Sequence, residues 1–102
     1  MDAFSALLEA RDPARGRMRS YRIEAGTDLL GDWVVDVTYG RIGTRGRSIR
    51  YAVPDVAEAK RTVSKALRRR ATARKRIGVS YRFCELCDPW KWAVDDSELI
   101  FL

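Results

Sequence analysis

The sequence predicts an α+β fold in which an antiparallel β-sheet packs against one long α-helix. Two observations support this fold class. Most of the chain consists of short runs of alternating apolar and polar residues, separated by turns rich in glycine and proline, which is typical of β-strands. One later segment, residues 56–74, instead repeats its apolar residues at helical spacing. A helix that covers one face of a sheet buries both apolar surfaces, and residues 1–102 are predicted to form a single domain of this kind.

The first two predicted strands form a hairpin. Residues 1–11 fit either a helix or a strand, because their apolar positions satisfy both spacings. The strand is favoured because a turn signal with proline and glycine follows at residues 12–16, and a second alternating run follows at residues 17–25. A loop bounded by glycines comes next, at residues 26–31, and its two leucines are expected to point into the core.

A second hairpin has the most regular pattern in the chain. Residues 32–39 and residues 47–53 both alternate, and β-branched and aromatic residues dominate the first run, so the two are predicted to pair antiparallel. The tip between them, residues 39–47, reads Tyr-Gly-Arg-Ile-Gly-Thr-Arg-Gly-Arg. Glycine lets a ligand approach the backbone closely, and arginine presents a planar fork of donors suited to phosphate. This tip is therefore the first candidate for a binding surface.

The predicted helix begins after Asp55, whose side chain can cap the backbone amide three residues later, where Glu58 completes a capping box. Its apolar positions should face the sheet, and its opposite face is basic. The apolar positions are Val56, Ala59, Val63, Ala66 and Leu67. A helix over residues 56–74 would be about 28 Å long, enough to cross about five strands.

A return strand is predicted at residues 77–83, which alternate once more. The tail that follows is acidic, contains Trp90 and Trp92, and ends in the apolar residues 99–102. An apolar terminus exposed to water is unusual. We expect it to add an edge strand or to pack on a second copy of the chain.

Charge is distributed unevenly. The net charge is +6, but residues 41–82 carry 14 of the 20 basic side chains and only 2 of the 14 acidic ones. Such clustering indicates a polyanionic partner, although a solvated basic face is the alternative. No apolar run approaches the roughly 20 residues of a membrane helix, and the N-terminus lacks the basic start of a signal peptide. We therefore expect a cytoplasmic protein that does not contact membranes.

Residue usage argues against an enzyme and against a metal site. Histidine is absent, which removes the usual general base and the commonest metal ligand. Cys84 and Cys87 form one Cys-x-x-Cys pair, whereas a zinc site needs four ligands. The main interpretation is two incidental thiols, and a redox or intermolecular metal role is the alternative. No cofactor is predicted.

The tip sequence also carries a resemblance to a known family. Tyr-Gly-Arg-Ile-Gly at residues 39–43, then Gly46, a strand, one helix and a closing Gly78…Tyr81, resembles the WGR domain, which is named after a Trp-Gly-Arg motif. The match covers about residues 3–83 and leaves 84–102 as a C-terminal extension. The module occurs in poly(ADP-ribose) polymerases, and in bacteria as stand-alone short proteins or as part of larger ones.

The resemblance implies an antiparallel sheet with one long helix, and it assigns the first segment to a strand. It also implies recognition of DNA ends, in which the motif tryptophan packs near the terminal nucleotide and basic residues meet phosphates. Here that tryptophan is Tyr39, and the motif arginine is Arg41, which in the family can instead contact neighbouring domains. Nothing in the chain resembles the polymerase catalytic domain, so no ADP-ribosyl transfer is implied.

The leading hypothesis is a small non-catalytic module that binds nucleic acid, DNA rather than RNA, at its backbone or end. The candidate contact residues are Tyr39, Gly40, Arg41, Arg45, Arg47, Arg50, Lys65, Arg68, Arg69, Arg74, Lys75 and Arg76. Tyr39 could instead be a core aromatic, and Arg41 could instead pair with Asp36. The alternative function is a protein-docking adaptor, which would use the basic face and the aromatic tail to bind a protein partner or a second copy.

Overall fold

A computed structural model describes residues 2–73, 75 and 78–92. Its elements are strands β1 (Asp2–Asp12), β2 (Arg17–Thr27), β3 (Trp33–Arg41) and β4 (Arg47–Val53), helix α1 (Val56–Ala71) and strand β5 (Arg82–Cys87). The strands form one sheet in the order β4-β3-β2-β1-β5, and every neighbouring pair is antiparallel. Helix α1 links the two edge strands across one face, closest to β2, β3 and β4. The α+β prediction is confirmed.

The core lies between α1 and one face of the sheet. Alternate side chains of β1, β2 and β3 point to this face and are buried, among them Leu8, Ile23 and Val35. The helix contributes Ala59, Val63 and Leu67, at the spacing of one helical face. Burial of each large aliphatic side chain stabilises the fold by roughly 1.5–3 kcal/mol. The opposite face of the sheet, called here the outer face, is not covered by α1.

The ends of α1 follow from local chemistry. Asp55 is extended, and its carboxylate accepts a hydrogen bond from the backbone amide of Glu58 at 2.9 Å, as predicted for the N-cap. The helix α1 ends at Ala71, earlier than the predicted residue 74. Thr72 follows, and its hydroxyl donates to the carbonyl of Arg69 at 3.1 Å. A side chain that bonds the preceding turn in this way competes with continued helix.

The tip of the second hairpin depends on its glycines. Gly43 and Gly46 have φ of 87° and 67°, which favour glycine strongly. Gly46 also lies against the backbone of β3, where a Cβ would overlap the carbonyl oxygen of Tyr39. A Cβ on Gly40 would lie 2.7 Å from the Cα of Gly46. The two backbones therefore pack directly on each other, which closes the hairpin tightly.

The loop between β2 and β3 corrects one prediction. Leu29 and Leu30 were expected to point inward, but they are 104% and 86% exposed. The loop is nevertheless ordered, because the Asp28 carboxylate accepts hydrogen bonds from the amides of Leu30 and Asp32, both at 2.9 Å. The turn precedes the start of β3, at the end of the sheet, and neither leucine is covered by the described structure.

The last strand corrects another prediction. It runs over Arg82–Cys87 rather than residues 77–83, because Gly78 adopts a left-handed φ of 78° and the chain pairs with β1 only from Arg82. Ile77 and the apolar residues 99–102 lie outside the described residues.

The first part of the tail packs on its own chain. Trp92 is buried and stacks on Phe4, with ring centroids 6.1 Å apart and an interplanar angle of 11°. Trp90 remains half-exposed and meets Trp33 edge to face. Trp92 therefore belongs to the core, where it packs against β1.

Two glycine substitutions at the tip should have different effects. Gly43→Ala should lower the free energy of unfolding by about 1–2 kcal/mol, since only the left-handed φ opposes it. Gly46→Ala should lower it by a further 1–3 kcal/mol, because its Cβ also overlaps the backbone of Tyr39. Urea denaturation of both variants measures the difference. Equal losses would contradict the close backbone contact.

Candidate nucleic-acid interface

A basic pocket of about 630 Å³ lies on the helix side of the sheet, beside the tip. It is lined by Arg15, Gly16, Arg17, Met18, Arg19, Ser20, Tyr21, Tyr39, Gly40, Arg41, Arg69, Arg70, Ala73 and Tyr81. Six arginines and three tyrosines thus surround one concavity, and the described lining contains no acidic residue. Such a pocket is electrostatically suited to a polyanion.

The register of the sheet brings these residues together. In the pairing of β2 with β3, Arg19 lies opposite Arg41 and Tyr21 lies opposite Tyr39. Paired residues of an antiparallel sheet share a face, so these four belong to the face that α1 covers. The last turn of α1 adds Arg69 and Arg70 above them. The negative end of the helix dipole favours cations at that position.

Two guanidinium groups in the pocket have unused hydrogen-bonding capacity. The Nε–H groups of Arg17 and Arg70 are buried and have no acceptor among the described residues. A buried donor without an acceptor costs roughly 1–3 kcal/mol, which an anion with oxygen acceptors would offset. Arg70 is held in place by aromatic rings, with its guanidinium carbon 4.0 Å from the ring centroid of Tyr21 and 5.8 Å from that of Tyr81.

The Tyr21 ring forms a buried floor below Arg70. Burial raises the pKa of Tyr21, although the neighbouring Arg70 charge acts in the opposite direction. The phenol is therefore neutral at physiological pH, and it does not neutralise the arginine above it. The positive charge of the pocket is retained.

Arg41 has a different partner from the one considered above. Its guanidinium donates to the backbone carbonyl of Gly16 at 3.2 Å, which ties the end of β3 to the turn before β2. Asp36 lies on the outer face and pairs with Arg50, through two hydrogen bonds of 2.7 and 3.0 Å. That pair raises the pKa of Arg50. Arg41 thus forms part of the pocket wall. Its hydrogen bond to Gly16 uses one of the guanidinium nitrogens, Nη1.

The structure brings together only some of the predicted contact residues. Those that line the basic pocket are Tyr39, Gly40, Arg41 and Arg69. Lys65 lies in an adjoining groove on the same side of the sheet, and Arg47 pairs with Tyr39 in the register of β3 and β4. Arg45 lines a shallow depression with Arg22 and Thr38.

Three further predicted residues, Arg50, Arg68 and Lys75, are not part of the basic-pocket lining. Arg50 is on the outer face, paired with Asp36. Arg68 and Lys75 are exposed at the end of the helical segment. Arg74 and Arg76 lie outside the described residues.

Several pocket residues were missed by the sequence analysis. They are Arg15, Arg17, Arg19, Tyr21 and Tyr81. Two of them could have been predicted from the sequence. Arg17, Arg19 and Tyr21 are alternate residues of β2, so their side chains point to the same face of the sheet. The predicted contact residues lie at the glycine-rich tip, on β4 and on the helical segment, whereas five of the fourteen residues that line the pocket belong to β2.

The cysteines are exposed on the edge strand β5. Slight desolvation of its thiol, followed by a hydrogen bond with Glu9, raises the pKa of Cys84 although the residue is exposed, so its reactive thiolate form is disfavoured at neutral pH. Within the described part of the chain, no three side chains of the usual ligand types are grouped as a metal site would require. The single described α-helix is not of the length and apolarity that membrane spanning requires.

Comparison with known proteins adds one finding. A family model described as the WGR domain matches residues 4–75 of the 102-residue chain. The matched range includes every residue that lines the basic pocket except Tyr81. No curated protein matches the chain.

The pocket should bind inorganic pyrophosphate. At ten times the dissociation constant, a ligand bound only by the folded state adds about 1.4 kcal/mol of stability, which corresponds to a rise of roughly 5–10 °C in the unfolding midpoint. Differential scanning fluorimetry at constant ionic strength measures this rise. Arg17→Met should abolish most of it, whereas Arg22→Met, in the same strand but on the outer face, should retain it. Equal shifts in all three proteins would contradict a specific pocket.

Proposed function

Because this chain belongs to the WGR domain family, we propose that it is a small non-catalytic module that binds the phosphate backbone of DNA, in preference to RNA, at or near a strand end. The WGR domain is a nucleic-acid-binding module in proteins of the poly(ADP-ribose) polymerase type. The observation that carries the proposal is the basic pocket, in which six arginines converge and the described lining has no acidic residue.

The pocket chemistry suits phosphate. Guanidinium forks bind phosphate oxygens in a bidentate manner, and several lie within one concavity. Gly16 and Gly40 in the lining have no side chain to block a backbone that approaches them. Tyr39 stands at the rim, 38% exposed, where its ring can pack against a sugar or a base.

The site does not suggest base-specific recognition. Specific readout in the major groove depends on side chains such as asparagine, glutamine and arginine presented on an inserted helix or β-ribbon. Here the arginines lie in a concavity between α1 and the sheet, which suits backbone phosphates. We therefore propose recognition of the form of the nucleic acid, with little dependence on its sequence.

Salt dependence tests the proposal. Fluorescence anisotropy should show binding to duplex DNA at 50 mM salt, and the logarithm of the affinity should fall against the logarithm of salt with a slope of about −5 if six phosphates are neutralised. Blunt, nicked, circular and single-stranded DNA, together with duplex RNA, would rank the substrates. Absence of binding, or a flat salt response, would contradict the proposal.

A matched pair of double variants locates the contact. Arg17→Gln/Arg19→Gln removes two charges from the pocket and should reduce the magnitude of the salt slope by about 2. Arg22→Gln/Arg50→Gln removes two charges from the outer face and should leave the slope nearly unchanged. If both doubles weaken binding equally, the basic pocket is not the contact surface.

Protein docking is a second candidate function, favoured by one specific observation. Leu29 and Leu30 are fully or nearly fully exposed on an ordered turn, and Asp28 holds that turn in place. The turn lies at the opposite end of β3 from the basic pocket, a separation of about 27 Å. The acidic residues Asp28 and Asp32 at its base suit a protein partner that has an apolar cleft with a basic rim.

Replacement of Leu29 and Leu30 distinguishes a role in partner binding from a role in stabilising the fold. Leu29→Ser/Leu30→Ser should leave the free energy of unfolding within about 0.5 kcal/mol, because neither side chain is buried. A photocrosslinking residue at position 30 should give one discrete protein adduct in cells, identified by mass spectrometry. The same residue at position 61, on the exposed face of α1, is the control. An identical adduct pattern at both positions, or no adduct, would exclude docking through this turn.

A further inference from the structure

A groove adjoins the basic pocket and has a different character. It lies between α1 and strands β3 and β4 and has a volume of about 560 Å³, within the range of small-molecule sites. Its lining is Tyr21, Val37, Tyr39, Ile49, Tyr51, Thr62, Lys65, Ala66, Arg69 and Arg70. The floor is therefore aromatic and aliphatic, and the wall formed by the helix carries cations.

The floor of this groove is apolar surface that the fold leaves accessible. Tyr39, Ile49 and Tyr51 are 38%, 37% and 45% exposed, although they lie on the same sheet face as the buried core. Two of the residues that α1 presents to the groove are small, which helps to leave the floor open. Thr62 and Ala66, one helical turn apart, face the groove and do not reach across to β4.

The charges of the groove restrict its occupant. Lys65, Arg69 and Arg70 rise along the helix wall, and the described lining has no acidic residue. A second copy of the chain would bring many cations of its own to this surface. A ligand that combines an aromatic face with negative charge fits better, and nucleotides have both properties.

The groove adjoins the basic pocket, which indicates that one nucleic-acid strand could occupy both. The groove and the basic pocket share Tyr21, Tyr39, Arg69 and Arg70, with Tyr39 at the boundary between them. A strand whose phosphates lie among the arginines of the basic pocket would therefore direct its next base towards Tyr51. An unpaired base fits best, because a base inside a duplex has both faces covered by its stacked neighbours and a terminal base carries its paired partner with it.

We propose that the groove is a subsite for one or two unpaired nucleobases of a strand whose phosphates occupy the basic pocket. The inference rests on the proposed nucleic-acid function and extends it to a substrate class, namely strand ends with a single-stranded overhang. The bases pack along the row that Tyr39, Ile49 and Tyr51 form on the floor, with one base stacked on Tyr51. Lys65 and Arg69 contact the phosphate that follows.

The test uses the full chain and a hairpin duplex with a blunt end or with a three-nucleotide overhang that contains 2-aminopurine. The wild-type protein should bind the overhang roughly tenfold more tightly than the blunt end, as expected for stacking of about one base. The fluorescence of the 2-aminopurine should fall on binding. Tyr51→Ala should abolish both effects and leave the blunt-end affinity within about twofold, whereas Tyr51→Phe, which keeps the ring, should retain both.

The outcomes separate the two proposals. If the blunt duplex binds with the expected salt dependence, but the overhang adds no affinity and no fluorescence change, the groove inference is overturned and the proposed function stands. If no nucleic acid binds, both are overturned. An overhang preference that survives Tyr51→Ala would place the base elsewhere. A dimer in light scattering that Tyr51→Ala dissociates would assign the groove to a second copy, which also overturns the inference.

Discussion

The register between β2 and β3 is the constraint on which the basic pocket depends. A slip of one residue would move every side chain of β2 to the other face, so Arg17, Arg19 and Tyr21 would point away from α1. Two features fix this register. At one end, Asp28 closes the turn through hydrogen bonds to two backbone amides. Along the strands, Ile23 and Val37 pair within the core, where a slip would expose them to water. The same burial that stabilises the fold therefore also assembles the basic pocket.

Like charges repel, so the concentration of arginines in one pocket destabilises the folded state. Several contacts in the structure reduce this repulsion. Arg70 stacks over Tyr21, and the end of the helix dipole lies beside it. Arg15 lies 3.6 Å from the Asp12 carboxylate, and Arg41 bonds the carbonyl of Gly16. None of these contacts satisfies the buried Nε–H groups of Arg17 and Arg70. The arginines therefore still repel one another, and two donors remain unused. Natural proteins keep unfavourable interactions of this kind mainly at functional sites, where a bound ligand can offset them.

The sequence was sufficient to predict the fold class, the central hairpin and the start of the helix, because these depend on local periodicity and on Asp55. It was less informative where tertiary context decides. Leu29 and Leu30 are apolar, yet the short turn held by Asp28 extends past the end of the core. The site was only partly predicted for a similar reason. Its residues come from the turn before β2, from β2, β3 and α1, and from Tyr81, and only the pairing of strands shows that they meet.

The identity of residue 39 connects these observations. Tyr39 lines both the basic pocket and the adjoining groove, so its ring lies at the boundary between these two concavities. The family motif has tryptophan at this position, and an indole is larger than a phenol. Tyr39, and Thr62 and Ala66 on the helix above, fill less of the groove than larger side chains would. The presence of tyrosine where the family motif has tryptophan is therefore compatible with the proposed phosphate site in the basic pocket and the proposed base subsite in the groove.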